Sequence, residues 1–174
     1  LSSPHNPGGR VWSREELQGV ANFAKRHDLI IISDEIHQDI VYSGHKHIPF
    51  TLIDQTANDR LIMMSATTKT FNIAGGHTGN VIIPDAKLRA TFSKRIAALG
   101  ISPNSFGIVM AKAGYSPAGA YWVDALMLYL DENRKIFDTA MNNLPGIKSM
   151  PLEGTYLAWV DFSSTGMSQK DILR

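Results

Sequence analysis

Three short apolar runs most constrain what this chain can fold into. They span residues 29–33, 60–65 and 80–83, and the first reads Leu-Ile-Ile-Ile-Ser. Each run is as long as a strand and is apolar throughout its centre, which is typical of a strand buried on both faces. Ser13 and Glu16 have capping-box spacing, so a helix precedes the first strand. A helix followed by buried strands favours a mostly parallel sheet covered by helices.

Helical periodicity and start signals place the remaining elements. We expect four helices, over residues 14–26, 86–99, 105–113 and about 119–144. A further strand is expected over 155–161, and a last helix should begin within 168–174. The expected fold class is therefore α/β: a three-layer, mostly parallel sheet with helices on both faces, plus the start of a small α+β C-terminal domain.

The long helix suggests where the chain divides into domains. A helix of this length after the sheet usually bridges two lobes. We predict that residues 1–118 are part of a large domain, residues 119–146 are a long interdomain helix, and residues 147–174 begin a small C-terminal domain.

Composition and net charge exclude several classes of protein. The 174 residues carry 17 basic and 16 acidic side chains, interleaved along the chain, for a net charge of +1. Because no basic run could follow a phosphate backbone, nucleic acid is not an expected partner. No apolar stretch approaches the roughly 20 residues that span a bilayer, so no membrane partner is expected. The chain has no cysteine, which excludes disulfides and thiolate metal sites.

Both ends of the chain read as internal to a longer protein. Residue 1 is a leucine in a stretch of loop composition, Leu-Ser-Ser-Pro-His-Asn-Pro-Gly-Gly, and residues 168–174 read as the start of a helix. No signal peptide is visible. We therefore expect a cytoplasmic protein, of which this chain is a fragment.

Polar residues follow the predicted strands, at the edge where open α/β sheets bind their ligands. Asp34 ends the first strand, His37 lies three residues later, Lys69 follows the second strand, and Asn6 lies in a turn before the first helix. A carboxylate could hold a protonated pyridine nitrogen, an amide could donate to a ligand oxygen, and a partly desolvated lysine could attack an aldehyde. Each also has an ordinary alternative: a strand-end cap, an Asx-turn and a surface lysine.

Six histidines raise the question of a metal site. His45 and His47 lie in a polar loop that follows Glu35 and His37. The chain has no His-Glu-x-x-His motif, and two histidines in a polar loop seldom complete a set of metal ligands. We therefore expect no metal site.

Three segments occur in a specific order and spacing. They are His-Asn-Pro-Gly-Gly-Arg at 5–10, Ser-Asp-Glu-Ile-His-Gln-Asp at 33–39, and Thr-Lys-Thr-Phe-Asn-Ile-Ala-Gly at 68–75. Together they resemble the class I/II aminotransferase family of fold type I. When the segment Glu-Gly-Thr-Tyr-Leu at 153–157 is included, the motif sequences are most similar to those of the cystathionine β-lyase (MalY/PatB-like) subgroup of C–S lyases. The resemblance extends over essentially the whole chain.

This resemblance implies a site for pyridoxal 5′-phosphate (PLP). Lys69 would be the Schiff-base lysine and the acid–base catalyst, and Asp34 would keep the pyridine nitrogen protonated. Asn6 would hydrogen-bond the phenolic oxygen of the cofactor. His37 would lie near that same oxygen, where many members of the family carry a tyrosine.

The phosphate side of the implied site departs from the family pattern. Thr68 lies where the subgroup commonly has a serine that reaches the phosphate, and Thr67 is a second candidate. The segment 75–79, Gly-Gly-His-Thr-Gly, replaces bulkier residues, which implies an altered phosphate side. The resemblance places the phosphate loop and the stacking aromatic before residue 1. It places the carboxylate-binding arginine after Arg174, which itself lacks the glycine-rich motif that precedes that arginine.

The resemblance also implies the reaction and the partners. The leading hypothesis is a C–S β-lyase, which acts on an amino acid by α,β-elimination and releases a thiol, pyruvate and ammonia. The same residues would serve an aminotransferase that exchanges an amino group with a 2-oxo acid. A hypothesis of another kind stays open, an inactive fragment that lacks the complete site. A metal hydrolase would require chelator-sensitive activity, and none is expected. Family members are homodimers, so a homodimer and a small-molecule amino acid substrate are the implied partners.

Overall fold

A computed structural model describes residues 1–173 of the chain. Its central sheet has three strands in the order β1 (Ile31–Asp34), β2 (Leu61–Ser65) and β3 (Asn80–Ile82). β1 and β2 are parallel, whereas β3 is antiparallel to β2. The expected α/β class is confirmed, and the sheet of the described residues is mixed. Arg174, set aside above as a substrate-binding arginine, lies outside the described residues.

Six α-helices lie among the described residues. They are α1 (Arg14–Arg26), α2 (Thr67–Thr70), α3 (Ala86–Ala98), α4 (Ser105–Gly114), α5 (Pro117–Asn142) and α6 (Gln169–Ile172). All except α2 begin and end close to the bounds that the sequence predicts. Short 3₁₀ turns lie at Phe50–Leu52, Gln55–Arg60, Ala74–Gly76 and Ser163–Thr165, and a second sheet pairs β4 (Lys148–Ser149) with β5 (Val160–Asp161).

The capping box predicted for α1 is present. The Ser13 hydroxyl accepts from the Glu16 backbone N–H at 3.2 Å, and the Ser13 N–H donates to Glu16 Oε2 at 2.9 Å. The apolar stripe of the helix is buried against β1, β2 and the turn at Phe50, and the cluster includes Leu17, Ala21, Ala24, Ile31, Phe50, Leu61 and Met63. This packing fixes one face of the sheet.

The opposite face of the sheet is open in the described chain. Ile32 is 53% exposed and Val81 is 43% exposed, whereas Ile31 and Leu61, on the other face, are buried. The expectation that these strands are buried on both faces is therefore wrong for the described residues. The physical reason is that residues 1–173 cover this face only in part, because Ile62 and Met64 are half-buried while Ile32 and Val81 are exposed.

The strand predicted over 155–161 is mostly absent. Only Val160–Asp161 is strand, and it pairs with β4. Thr155 has a backbone φ of +68°, which turns the chain, and its N–H donates to the carbonyl of Ile40 at 2.8 Å. The alternation of side chains that predicted a strand is overridden here by long-range backbone hydrogen bonds.

α4 packs closely against the turn that follows the lysine segment. A Cβ on Gly107 would collide with the backbone carbonyl of Gly76, and a Cβ on Gly76 would lie 3.4 Å from the Gly107 Cα. The small residues of the segment 75–79 therefore permit a close backbone approach, which is a structural reason for their departure from the family pattern.

No helix among residues 1–173 is both long enough and apolar enough to cross a bilayer. The longest, α5, has 26 residues, but charged side chains are spread along it.

Candidate functional site

The N-terminal segment runs beside β1 and delivers Asn6 to the carboxyl end of the sheet. The Asp34 N–H donates to the Leu1 carbonyl, and the Ser3 N–H donates to the Asp34 carbonyl, both at 3.0 Å. This is parallel pairing, so the chain leaves the sheet at the same edge as β1. The Asn6 side chain follows at this edge and is exposed.

Asp34 stands at the end of β1 and is half-buried. Its Oδ1 accepts from the Ile36 N–H at 3.2 Å, so the ordinary capping role is present. Its second oxygen, Oδ2, accepts no hydrogen bond from any residue in the range 1–173. One carboxylate oxygen is therefore available to a positively charged group of a ligand.

His37 is buried, with 2% of its surface exposed, and neither ring nitrogen has a hydrogen-bond partner among the described residues. Burial lowers the pKa of His37, and the charge of Lys69 lowers it further, while the charge of Asp34 opposes both. The lysine and the aspartate are thus close enough to act on the imidazole. A buried imidazole with two unsatisfied nitrogens is a strong candidate for contact with a polar ligand.

Lys69 lies on α2, immediately after β2, and is half-buried. Its ammonium forms no hydrogen bond and no ion pair within residues 1–173. The side chain lines a cavity of about 210 Å³. The other residues that line this cavity are Ile40, Thr70, Asn72, Trp122, Leu126, Leu130 and Tyr156. An unpaired amine beside apolar walls fits a nucleophile better than a solvated surface lysine.

The two threonines before the lysine differ in their surroundings. Thr67 is 1% exposed and its buried Oγ1 has no partner in the described part of the chain, whereas Thr68 is half-buried. Thr70 is already engaged, because its hydroxyl donates to Asp39 Oδ2 at 2.8 Å. The sequence ranks Thr68 ahead of Thr67, but the structure gives Thr67 the unsatisfied hydroxyl.

Glu35 has a structural role that the sequence does not reveal. It is 1% exposed and accepts from the Ser33 hydroxyl at 2.8 Å, from the Phe50 N–H at 3.0 Å and from His47 Nε2 at 2.8 Å. These bonds tie the histidine loop to the end of β1. In the described range, no group of three or more potential metal ligands lies together.

Tyr156 is a second residue that the sequence identifies only as part of a motif. Its ring meets the His37 ring edge to face, with the centroids 5.3 Å apart, and it shares the Lys69 cavity. The motif at 153–157 drew attention to this tyrosine. Its contact with His37 could not be predicted, because the two residues are far apart in the chain and are brought together only by the fold.

A lysine amine without a partner among the described residues, a carboxylate and a buried imidazole lie near one edge of an α/β sheet, which makes this edge a candidate ligand site. The sequence matches the family model for aminotransferase class I and II over residues 1–174. The chain therefore belongs to the class I and II aminotransferase family.

Similar proteins include both lyases and transaminases. Cystathionine β-lyase PatB of Bacillus subtilis is 38% identical over 174 residues, which cover 99% of this chain and 45% of that protein. Kynurenine–oxoglutarate transaminase 3 of Rattus norvegicus is 28% identical over 184 aligned residues, with 99% of this chain and 38% of that protein covered.

A solved structure shows the same likeness. The crystal structure of cystalysin from Treponema denticola, which contains a PLP cofactor, is 39% identical with a TM-score of 0.91. The match covers 98% of this chain and 44% of that one. The chain thus spans less than half the length of these relatives.

Proposed function

We propose that this chain is part of a PLP-dependent C–S β-lyase that acts on a small amino acid. The observation that carries the proposal is the unpaired amine of Lys69 near Asp34 and His37, in a family whose members include PLP-containing proteins. The likeness to cystathionine β-lyase PatB supports the lyase reaction over others.

The residues present fit PLP on chemical grounds. Lys69 would bind its aldehyde, Asp34 its pyridinium nitrogen, and Asn6 and His37 its phenolic oxygen. The buried nitrogens of His37 and the buried hydroxyl of Thr67 lack partners among residues 1–173, and polar atoms of a ligand would satisfy them. Thr67 and Thr68 are the candidates for contact with the phosphate.

The reaction then depends on where this chain holds charge and protons. When bound, PLP supplies an electron sink for the electron pair left at the substrate Cα. The Lys69 Nζ removes the Cα proton, and the apolar walls of its cavity limit water around that amine. The Asp34 carboxylate stabilises positive charge at the nitrogen it faces, and the neutral His37 donates or accepts one hydrogen bond without adding charge.

The second candidate is an aminotransferase. The likeness to a kynurenine–oxoglutarate transaminase favours it. The amino group of the substrate would then pass to PLP while the Lys69 amine moves the Cα proton, whereas in a lyase the thiolate leaves from Cβ and takes up a proton. The two are distinguished by supplying cystathionine without a 2-oxo acid. A lyase releases pyruvate under these conditions, whereas an aminotransferase does not turn over.

The cofactor is tested by spectroscopy on the whole protein mixed with PLP. We expect a visible absorption band that Lys69→Ala abolishes, and we expect borohydride to fix the cofactor on the peptide that contains Lys69. Lys94→Ala, which changes an exposed lysine of α3, should keep the band. A wild-type protein without a band at saturating PLP would refute the proposal. Repeating the measurement on the 174-residue chain tests the reading as an inactive fragment.

We further propose a homodimer and a cytoplasmic location, by likeness to the family. The division at 1–118, 119–146 and 147–174 also stays a proposal. Its support is that α5 occupies most of the middle range. Sedimentation of the whole protein tests the dimer, and limited proteolysis on either side of α5 tests the division.

A further inference from the structure

We propose that Glu153 is a positioning residue that holds the Asn6 turn and the His37 segment in place relative to each other. The inference rests on the proposed function, because the proposed function is what places Asn6 and His37 in contact with the phenolic oxygen of PLP. Glu153 is far from Asn6 and His37 in the sequence, and it acts only by holding these two residues in position.

Glu153 and its neighbour Gly154 are hydrogen-bonded to the turn that carries Asn6. The Val11 N–H donates to Glu153 Oε2 at 2.7 Å, which joins the far side of this turn to the carboxylate. The Glu153 N–H and the Gly154 N–H both donate to the Gly9 carbonyl, at 2.8 and 2.9 Å. Three hydrogen bonds therefore fix the end of the turn that begins at His5.

The backbone around Glu153 is also hydrogen-bonded to the segment that follows His37. The Tyr42 N–H donates to the Glu153 carbonyl at 2.9 Å, and the Thr155 N–H donates to the Ile40 carbonyl at 2.8 Å. The Ile40 N–H in turn donates to the His37 carbonyl at 3.0 Å. The residues around Glu153 thus connect two segments that are more than twenty positions apart.

Close packing leaves this junction little freedom to slide. A Cβ on Gly154 would lie 2.9 Å from Pro4 Cβ and 3.0 Å from the Ile40 carbonyl oxygen. Gly9 has a φ of +71°, and a Cβ there would collide with the Leu152 side chain. Because the backbones meet directly, a displacement at Glu153 moves both segments instead of being absorbed by side chains.

The carboxylate is the part of the junction that a substitution can remove without changing the backbone. Its Oε2 accepts the Val11 N–H and lies 4.0 Å from His45 Nδ1. Without this acceptor, the Val11 N–H loses its partner, and only the backbone hydrogen bonds to the Gly9 carbonyl still join the Asn6 turn to the residues beside His37. The common support of the two groups proposed to donate to the phenolic oxygen is then weakened by the loss of one of its three bonds to the turn.

The test uses the whole protein loaded with PLP and the variants Glu153→Ala, Glu153→Gln and Glu153→Asp. A donor to the phenolic oxygen favours its anionic form, so weaker donation raises the pH midpoint of the visible band. We expect Glu153→Ala to raise that midpoint and to lower kcat/KM about tenfold. Glu153→Gln keeps an acceptor for the Val11 N–H and should restore both values. Glu132→Ala, on the exposed face of α5, is the control.

The outcomes separate the positioning role from a purely structural one. If Glu153→Ala lowers the melting temperature but leaves the pH midpoint of the band unchanged, the inference is overturned. Should the alanine variant fail to fold, Glu153→Asp decides, because it keeps the charge but is one methylene shorter and should shift the midpoint in the same direction. A wild-type protein that shows no band refutes the proposed function itself, which is a different result from an unshifted band.

Discussion

At the scale of single residues, the charge of His37 is set by its surroundings. Burial disfavours the imidazolium, and the ammonium of Lys69 disfavours it further, so the pKa of His37 is lowered from its usual value. A neutral imidazole can accept a hydrogen bond at one nitrogen and donate at the other. This state suits contact with a phenolic oxygen, and the neighbouring lysine reinforces the effect of burial.

We predict that Lys69→Ala raises the pKa of His37. Removing the cation removes one of the two causes that lower this pKa, while burial, the larger cause, remains. The pKa should therefore move up and yet stay below the usual value for histidine. An NMR titration of the His37 ring measures it, with Lys94→Ala as the matched control. An unchanged titration midpoint in Lys69→Ala would show that the two side chains are not neighbours.

The sequence predicts this site in part. The positions of Lys69, Asp34 and Asn6 at strand ends and in a turn follow from local residues, whereas their roles were inferred from the resemblance to the family. The unsatisfied nitrogens of His37, the hydroxyl of Thr67 and the contact with Tyr156 could not be predicted, since they depend on which distant segments pack together. Burial is a property of the fold, and the local sequence around His37 does not contain it.

At the scale of elements, helix ends are predicted well because their signals are local. Ser13, Asp85, Asn104 and Ser116 each cap the helix that the sequence places after them. The strand over 155–161 fails for the opposite reason. The Thr155 N–H donates to the Ile40 carbonyl, far away in the chain, and alternation of side chains cannot anticipate such a partner.

Two glycine substitutions in helices should have opposite effects on stability. Alanine is favoured over glycine inside a helix by about 1 kcal/mol, and Gly19 of α1 has open space around it, so Gly19→Ala should stabilise the protein by about that amount. Gly107→Ala in α4 meets the Gly76 carbonyl and should destabilise by about 1–3 kcal/mol. Urea unfolding of both variants tests the contrast, and a stabilised Gly107→Ala would contradict the packing described for α4.

At the scale of the whole molecule, one face of the sheet is packed and the other is open. The register pairs Ile32 with Ile62 and Met64 with Val81, so these four apolar side chains lie on the same face. Among the described residues, Ile32 and Val81 are exposed and Ile62 and Met64 are half-buried, so this face is only partly covered. A continuous apolar run predicts a strand, but it does not indicate which residues cover each side, and this explains the failed expectation of burial on both faces.

The open face should make the 174-residue chain self-associate. Contiguous apolar surface is a common cause of association, and Thr keeps strand propensity while it reduces apolar area. We expect the double variant Ile32→Thr/Val81→Thr to sediment as a smaller species than the wild-type chain. Ile101→Thr is the control, because Ile101 is 56% exposed but lies outside the sheet. Equal sedimentation of all three proteins would count against this surface as the cause.

Asp34 and Glu35 are adjacent carboxylates at the end of β1, and their different positions give them different roles. Glu35 is hydrogen-bonded to three partners, whereas Asp34, one residue earlier and on the alternate side, keeps an oxygen for a ligand. Exchanging the two residues would leave composition, net charge and local polarity unaltered. Yet the longer chain would then enter the site and the shorter one could not span to the loop at Phe50. A protein engineer should therefore treat this dipeptide as an ordered pair, in which the sum of the charges matters less than their sequence.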